Sequence, residues 1–176
     1  TGITCYLSSP SITGCTISQN SAGNIGGTGI TCENASPEIR TCTITQNFSG
    51  TYGGGIYCYS DSEPIIDSCT IRGNSATNFG AGIACDTSSP SIINCSIDTN
   101  SATDSGTGIF CSNGSSPSIS MSDIMNNSAD ENGSGIYCDA SGPAITDCNI
   151  GGNTAITNGS GIYCGNQSIP VISGCI

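Results

Sequence analysis

Cysteine recurs along this chain at an almost constant interval, and this repetition constrains the fold more than any other feature. Neighbouring members of the first cysteine column are 26 or 27 residues apart. The column contains Cys5, Cys32, Cys58, Cys85, Cys111, Cys138 and Cys164. A proline column keeps the same interval, and the fifth residue after each proline is a second cysteine, except that the fifth repeat has Ser122. Self-similarity at a period of about 20–50 residues indicates a solenoid or an array of small units.

Within each repeat, apolar residues alternate with a spacing of two, in blocks of the form G-I-x-C, P-x-I and C-x-I that turn residues separate. A spacing of two is the period of a β-strand, whereas a helix would need three or four. We therefore predict an all-β fold, a parallel β-helix of seven coils of 26–27 residues with three short strands per coil, the last coil being incomplete. Stacked at the strand spacing of about 4.8 Å, these coils would form a rod roughly 30 Å long.

The same period assigns side chains to the inside and the outside of the coil. In the sixth repeat we expect Ile136, Cys138, Ile145 and Cys148 to point inward and Tyr137 to point outward. An asparagine column follows the third predicted strand, and stacked side-chain amides can hydrogen-bond along the axis as a ladder. Its members are Asn20, Asn47, Asn74, Asn100, Asn127 and Asn153.

Two short motifs carry a resemblance to a known family. The GGGI of residues 53–56 and the I-x-x-N of residues 17–20, 44–47 and 71–74 resemble the GG[AI]/FxxN repeat of polymorphic outer-membrane and related surface proteins. This chain has isoleucine where that repeat has phenylalanine. More widely, the whole chain is similar to the pectate-lyase-like superfamily of right-handed parallel β-helices. The resemblance implies a right-handed, secreted or surface-displayed solenoid, in a superfamily that also includes polysaccharide lyases and hydrolases.

The charge balance excludes several classes of partner. The net charge is −11, and Arg40 and Arg72 are the only basic residues. Such a surface cannot neutralise a run of phosphates, so we expect neither nucleic acid nor an anionic membrane as a partner. No apolar run approaches the roughly 20 residues of a membrane span. Thirteen cysteines in a chain rich in Ser, Thr, Asn and Gly favour an extracellular or cell-surface location.

Catalytic and metal chemistry lack candidate residues. The chain has no histidine and no lysine, so general acid–base catalysis lacks its usual participants. Repeat alignment places Arg40 beside Asp67 and Arg72 beside Asp98, which predicts exposed ion pairs. Zinc is disfavoured because no C-x₂-C pair occurs. We predict a protein that is not an enzyme, with no catalytic residue, no metal site and no cofactor.

Aromatic residues follow the outward side of the first predicted strand. Tyr57, Phe110, Tyr137 and Tyr163 align there, and such a ladder could bind glycan rings or another protein by its faces. The alternative is cross-strand packing that only stiffens the sheet, and both remain open. Ice binding is disfavoured because the outward threonine array lasts for only three coils.

Several Asn-x-Ser/Thr sequons fall where we expect turns. Asn34, Asn113 and Asn166 each lie two residues after a first-column cysteine, and Asn132 and Asn158 align at the tip of the long turn. These five residues are the predicted glycosylation sites. The sequons at Asn47, in the inward ladder, and at Asn94, beside an inward cysteine, are discounted.

The two cysteine columns allow disulfides or stacked free thiols. Pairing between adjacent coils suffers from parallel Cβ vectors, so we favour pairing within a coil, which would close loops of about ten residues. The predicted pairs are Cys5–Cys15, Cys32–Cys42, Cys58–Cys69, Cys85–Cys95, Cys138–Cys148 and Cys164–Cys175.

The organisation and the function follow from the repeat. Residues 1–176 form one β-helix array, which we expect to be an excerpt of a longer array without its caps. We predict an extracellular structural solenoid, either the rod of a surface adhesin or a segment of a fibre. Its partners would be identical chains, end to end or side by side, and possibly glycans. The alternative is a carbohydrate-binding module or a degenerate polysaccharide lyase on the same scaffold.

Overall fold

The computed structural model describes residues 1–23 and 26–176, and over these residues the chain winds as a solenoid of short parallel strands. The first sheet contains Ile3–Tyr6, Ile30–Glu33, Ile56–Tyr59, Ile83–Asp86, Ile109–Ser112, Ile136–Asp139 and Ile162–Gly165. The second contains Ser11–Thr13, Glu38–Arg40, Ile65–Asp67, Ser91–Ile93, Ser118–Ser120, Ala144–Thr146 and Val171–Ser173. Among the described residues, no helix is long and apolar enough to cross a membrane.

Two further sheets complete each turn of the solenoid. The third contains Thr16–Ser18, Thr43–Thr45, Thr70–Arg72, Ser96–Asp98, Asp123–Met125 and Asn149–Gly151. The fourth contains Ser21–Ala22, Phe48–Ser49, Ser75–Ala76, Ser101–Ala102, Ser128–Ala129 and Thr154–Ala155. The predicted parallel β-helix is therefore confirmed, with about six turns. The prediction of three strands per coil is wrong, because a strand of two residues is too short to show a period of two in the sequence.

Every strand pairs in register with the equivalent strand one coil away. Cys5 lies opposite Cys32, for example, and Ile66 lies opposite both Ile39 and Ile92. Equivalent positions of successive repeats therefore stack directly upon one another along the axis. The same side-chain contacts consequently recur at every interface between one coil and the next.

The extra residue of the third coil is absorbed by left-handed residues in a turn. Between the first and second sheets, the fourth coil has one such residue, Thr87, with a φ of 51°. The third coil has an extra residue there, and both Ser60 and Asp61 adopt positive φ, 56° and 59°. The strands on both sides of this turn stay in register with their neighbours. A turn can therefore accept an insertion that a strand cannot.

The core is a set of isoleucine and cysteine columns. Ile30, Ile39 and Ile44, one from each of three sheets, are fully buried, as are their equivalents in the next coils. Each buried isoleucine contributes about 1.5–3 kcal/mol by leaving water. The inward orientation predicted for Ile136, Cys138, Ile145 and Cys148 is confirmed, since each is at most 1% exposed.

The predicted asparagine ladder is present and lies inside the coil. Asn74 Nδ2 donates to Asn100 Oδ1 at 3.1 Å, and Asn100 Nδ2 donates to Asn127 Oδ1 at 3.0 Å. From Asn47 onward, each Oδ1 also accepts the backbone N–H of the preceding asparagine, and each Nδ2 also donates to an isoleucine carbonyl such as that of Ile71. Buried amides are costly unless their hydrogen bonds are made, and this ladder makes them.

The predicted within-coil disulfides are not formed: all thirteen cysteines are free thiols in the structure. Each first-column sulfur contacts the equivalent sulfur of a neighbouring coil, as Cys5 does with Cys32 and Cys138 with Cys164. Second-column thiols contact their equivalents too, as Cys69 does with Cys95, and they also donate to backbone carbonyls; Cys42 Sγ, for example, lies 3.4 Å from the carbonyl oxygen of Ile12. The pairing fails because in-register stacking orients the thiols along the axis rather than across the coil.

Burial keeps these thiols protonated. A hydrogen bond with Cys111 and burial raise the pKa of Cys85 well above its ordinary value. Burial, followed by the neighbouring sulfurs of Cys111 and Cys164, raises the pKa of Cys138. Burial likewise raises the pKa of Cys148 in the second column. At neutral pH these cysteines therefore behave as small apolar side chains.

Removal of one ladder amide should destabilise the whole solenoid. Asn100→Ala removes the Oδ1 that accepts two N–H groups of Asn74 and the Nδ2 that donates to the carbonyl of Ile71. Asn127 Oδ1 loses one of its two donors and keeps the backbone N–H of residue 100. We expect the free energy of unfolding to fall by roughly 2–5 kcal/mol, measured by denaturant titration. Asn149→Ala is the matched control, because Asn149 is exposed, and it should change stability by less than about 0.5 kcal/mol. Equal effects of the two substitutions would contradict a stabilising ladder.

The buried thiols predict instability in alkali. Above the ordinary thiol pKa of about 8.5, the unfolded chain loses protons that the folded chain retains. The free energy of unfolding should therefore fall as the pH rises above that value, by up to about 1.4 kcal/mol per pH unit for each thiol whose pKa the fold raises, such as Cys85 and Cys138. Denaturant titrations between pH 7 and pH 10.5 measure this slope, and unfolded, unreduced protein should titrate as thirteen thiols.

Two variants separate the thiols from other titrating groups. Cys58→Ser with Cys85→Ser removes two fully buried thiols and should make the alkaline slope shallower. Cys15→Ser removes an exposed thiol and should leave the slope unchanged. A stability that does not vary with pH in this range would refute the assignment.

Candidate functional site

The outward side of the first sheet carries the predicted aromatic column. Tyr137 pairs in register with Phe110 on one side and with Tyr163 on the other, and Tyr57 lies two coils before Phe110. Half of the column is closed to a ligand, because Tyr57 is only 9% exposed and Phe110 only 5% exposed. This half is the core of a second apolar cluster outside the coil.

The long turn after the fourth sheet covers this buried half. Tyr52 and Phe79 lie in that turn and pair with each other between adjacent coils. Their rings stack on the column, with centroids 5.9 Å apart for Tyr52 and Tyr57 and 4.7 Å apart for Phe79 and Phe110. Gly53, with a φ of 61°, allows the turn to close, since a Cβ there would lie 2.6 Å from that of Tyr57.

Tyr52 and Phe79 were missed by the sequence analysis, which considered only the aromatic residues of the first predicted strand. The signal was an aromatic residue at the same repeat position in two successive coils, directly before a glycine. Tyr57 and Phe110 are therefore packed mainly against aromatic residues of the turn, since Ala84 lies between them in the sheet.

The later coils lack this aromatic cover. The position of Tyr52 is taken by Asn132 and Asn158, which form a bridge of their own; Asn158 Nδ2 donates to Asn132 Oδ1 at 3.2 Å. Tyr137 and Tyr163 are both half-buried. Their ring centroids are 5.0 Å apart and their planes are tilted by 52°. Two neighbouring phenol rings thus form the accessible end of the column.

Carboxylates and amides line the edge of the aromatic column. Asn113 Nδ2 donates to Asp86 Oδ1 at 2.6 Å. Two coils further along the axis, Asn166 Nδ2 donates to the equivalent carboxylate, that of Asp139. Burial and then the nearby carboxylate of Asp139 raise the pKa of Tyr137, which is therefore a neutral phenol at neutral pH. This edge combines apolar ring faces with hydrogen-bonding groups.

The structure places the predicted glycosylation asparagines in two settings. Asn34, Asn113 and Asn166 are exposed in the turn after the first sheet, with φ values of 48°, 53° and 48°. Asn158 is exposed and Asn132 is half-buried. Their occupancy stays a prediction.

The two discounted sequons differ from each other. Asn47 is fully buried in the ladder, which confirms the reason for setting it aside. Asn94 is exposed, so the argument from its inward neighbour Cys95 is wrong, because adjacent residues of this turn point in opposite directions.

The two arginines differ in their contacts. Arg40 forms the predicted ion pair with Asp67 and a second one with Glu38 at 3.3 Å. Arg72 lies opposite Asp98 in register, but no ion pair joins them in the part of the chain that the structure describes. Over residues 1–23 and 26–176, no three His, Cys, Asp or Glu side chains are arranged to hold a metal ion.

Comparison with known proteins gives the family. No curated protein and no solved structure matches the chain. The family model described as a right-handed beta helix region matches residues 28–176, which is most of the chain. That match agrees with the parallel solenoid and adds its handedness. This chain belongs to the right-handed β-helix family.

Proposed function

We propose that this chain is a structural solenoid, the rod of an extracellular surface adhesin or a segment of an extracellular fibre. The observation that carries the proposal is the unbroken ladder from Asn20 to Asn153, in which every step has an amide hydrogen bond of 2.9–3.1 Å. In a solenoid each coil contacts only its neighbours, so a hydrogen bond repeated at every step ties all the coils together along the axis. Identical chains, packed end to end or side by side, are the partners that we propose for a fibre.

Surface composition supports the extracellular part of the proposal. The outer face is dominated by short uncharged side chains, and four of the five predicted glycosylation asparagines are exposed. Arg40 and Arg72 are the only residues after which trypsin could cut, and Arg40 is held by two carboxylates. The free thiols add no support, since they are not disulfides.

Mechanical stretching tests the structural proposal directly. Pulled from its two termini in a single-molecule experiment, the chain should resist force and lengthen in steps that correspond to one or several coils of 26–27 residues. Asn100→Ala should lower the unfolding force, whereas Asn149→Ala should not. Extension without measurable resistance would contradict the proposal that the chain is a structural rod or fibre segment.

A second function, glycan binding, is favoured by one observation. The half-buried rings of Tyr137 and Tyr163 lie beside the hydrogen-bonded pair of Asp139 and Asn166. Aromatic faces pack against apolar ring surfaces, and carboxylate and amide groups match the donors and acceptors of sugar hydroxyls. The same edge further up the column is covered by Tyr52 and Phe79, so any such site is confined to the uncovered coils.

A glycan array followed by calorimetry tests this second function. Tyr137→Ser with Tyr163→Ser should weaken the binding of any glycan found at least about tenfold, or 1.4 kcal/mol. Tyr6→Ser is the control, since Tyr6 is 59% exposed at the other end of the solenoid, and it should leave the affinity unchanged. Binding that survives the double substitution lies elsewhere, and an array without any signal removes the proposal.

A further inference from the structure

Two phenol rings of adjacent coils face each other at the uncovered end of the aromatic column. Tyr137 and Tyr163 are register partners in the first sheet. Their centroids are 5.0 Å apart, with the planes tilted by 52°. Both side chains are half-buried, so solvent reaches one side of the pair while the sheet fixes the other.

The ring carbons that lie ortho to the two hydroxyls border the same gap. A Cβ placed on Gly165 would lie 3.2 Å from Cε1 of Tyr163 and 3.8 Å from Cε2 of Tyr137. Gly165 has no side chain, so nothing of its own separates these two carbons. The equivalent residue in every other coil has a side chain; these residues are Tyr6, Glu33, Tyr59, Asp86, Ser112 and Asp139.

We propose that Tyr137 and Tyr163 form a site of oxidative cross-linking, in which a carbon–carbon bond between Tyr137 Cε2 and Tyr163 Cε1 joins two adjacent coils. The ortho carbon of a tyrosyl radical carries part of the unpaired spin, and radical coupling requires two such carbons to be close. The oxidant is a peroxide, used by a haem peroxidase.

The reaction balances as a two-electron oxidation. Each phenol loses the hydrogen atom of its hydroxyl to the oxidant, and the two radicals combine at the ortho carbons. The hydrogen on each of these carbons then moves to the ring oxygen, which restores both phenols. In total the protein loses two hydrogen atoms, and one hydrogen peroxide is reduced to two waters.

Other tyrosine pairs are less suited to this reaction. The rings of Tyr57 and Tyr59 are 4.8 Å apart but nearly parallel, with an angle of 18° between their planes. Tyr57 is also only 9% exposed and donates a 3.5 Å hydrogen bond to Asp86. A bond between Tyr57 and Tyr59 would moreover join residues of a single strand and link no two coils.

The cross-link would join two coils covalently and so stabilise the solenoid. It closes a loop of the 26 residues that separate the two tyrosines, and cross-links that close such loops restrict the unfolded chain. The two strands are already in register, so the folded solenoid changes little.

Treatment of the dilute protein with a haem peroxidase and limiting hydrogen peroxide tests the proposal. We expect a monomeric product that has dityrosine fluorescence, has lost two hydrogen atoms in its intact mass and gives a Tyr137–Tyr163 cross-linked peptide after digestion. Tyr137→Phe and Tyr163→Phe should each abolish this product, and Tyr6→Phe should retain it. Gly165→Ser should lower its yield, since a side chain there would press against the Tyr163 ring.

The peptide map of the unmodified sequence decides the question even if a variant fails to fold. A cross-link between Tyr57 and Tyr59, a product found only in dimers, or no cross-link at all would overturn the proposal. Full yield from either phenylalanine variant, with its circular dichroism unchanged, would overturn it as well.

Discussion

The parallel hydrogen-bond register between successive coils is the constraint on which the rest of this structure depends. Because each residue lies opposite its equivalent one coil away, a side chain must be compatible with a copy of itself. Isoleucine, cysteine and asparagine meet this condition inside the coil in different ways. Isoleucine packs on isoleucine, a thiol contacts a thiol, and an asparagine amide has both a donor and an acceptor to offer to the next one.

The same constraint decides where variation can occur. An extra residue in a strand would move every following side chain to the opposite face. The extra residue of the third coil is therefore held in a turn, where Ser60 and Asp61 both adopt left-handed backbone conformations. Cys95 shows how a substitution is accommodated inside the coil: its backbone N–H donates to the hydroxyl of Ser122, at 3.1 Å, where the other coils have a cysteine.

The sequence predicted the features that depend on period and stacking, and it failed where the outcome depends on how a turn folds. The parallel solenoid, the inward columns and the asparagine ladder follow from residue spacing alone. The fourth strand could not be recognised, because Ser75–Ala76 is too short to display a period. The covering of Tyr57 by Tyr52 could not be derived from spacing, since it requires the long turn to bend back over the sheet. The disulfide prediction failed because residue spacing does not show whether a thiol points along the axis or across the coil, and these thiols contact neighbouring coils.

The asparagine ladder also makes the two directions along the solenoid axis different. Every side-chain amide donates to the asparagine of the coil that follows and accepts from the one that precedes it. Hydrogen bonds that all point the same way polarise one another, so their dipoles add along the axis. The solenoid is therefore an electrically polar object with two unlike poles. Two such molecules lying side by side differ in electrostatic energy according to whether their axes point the same way or in opposite ways.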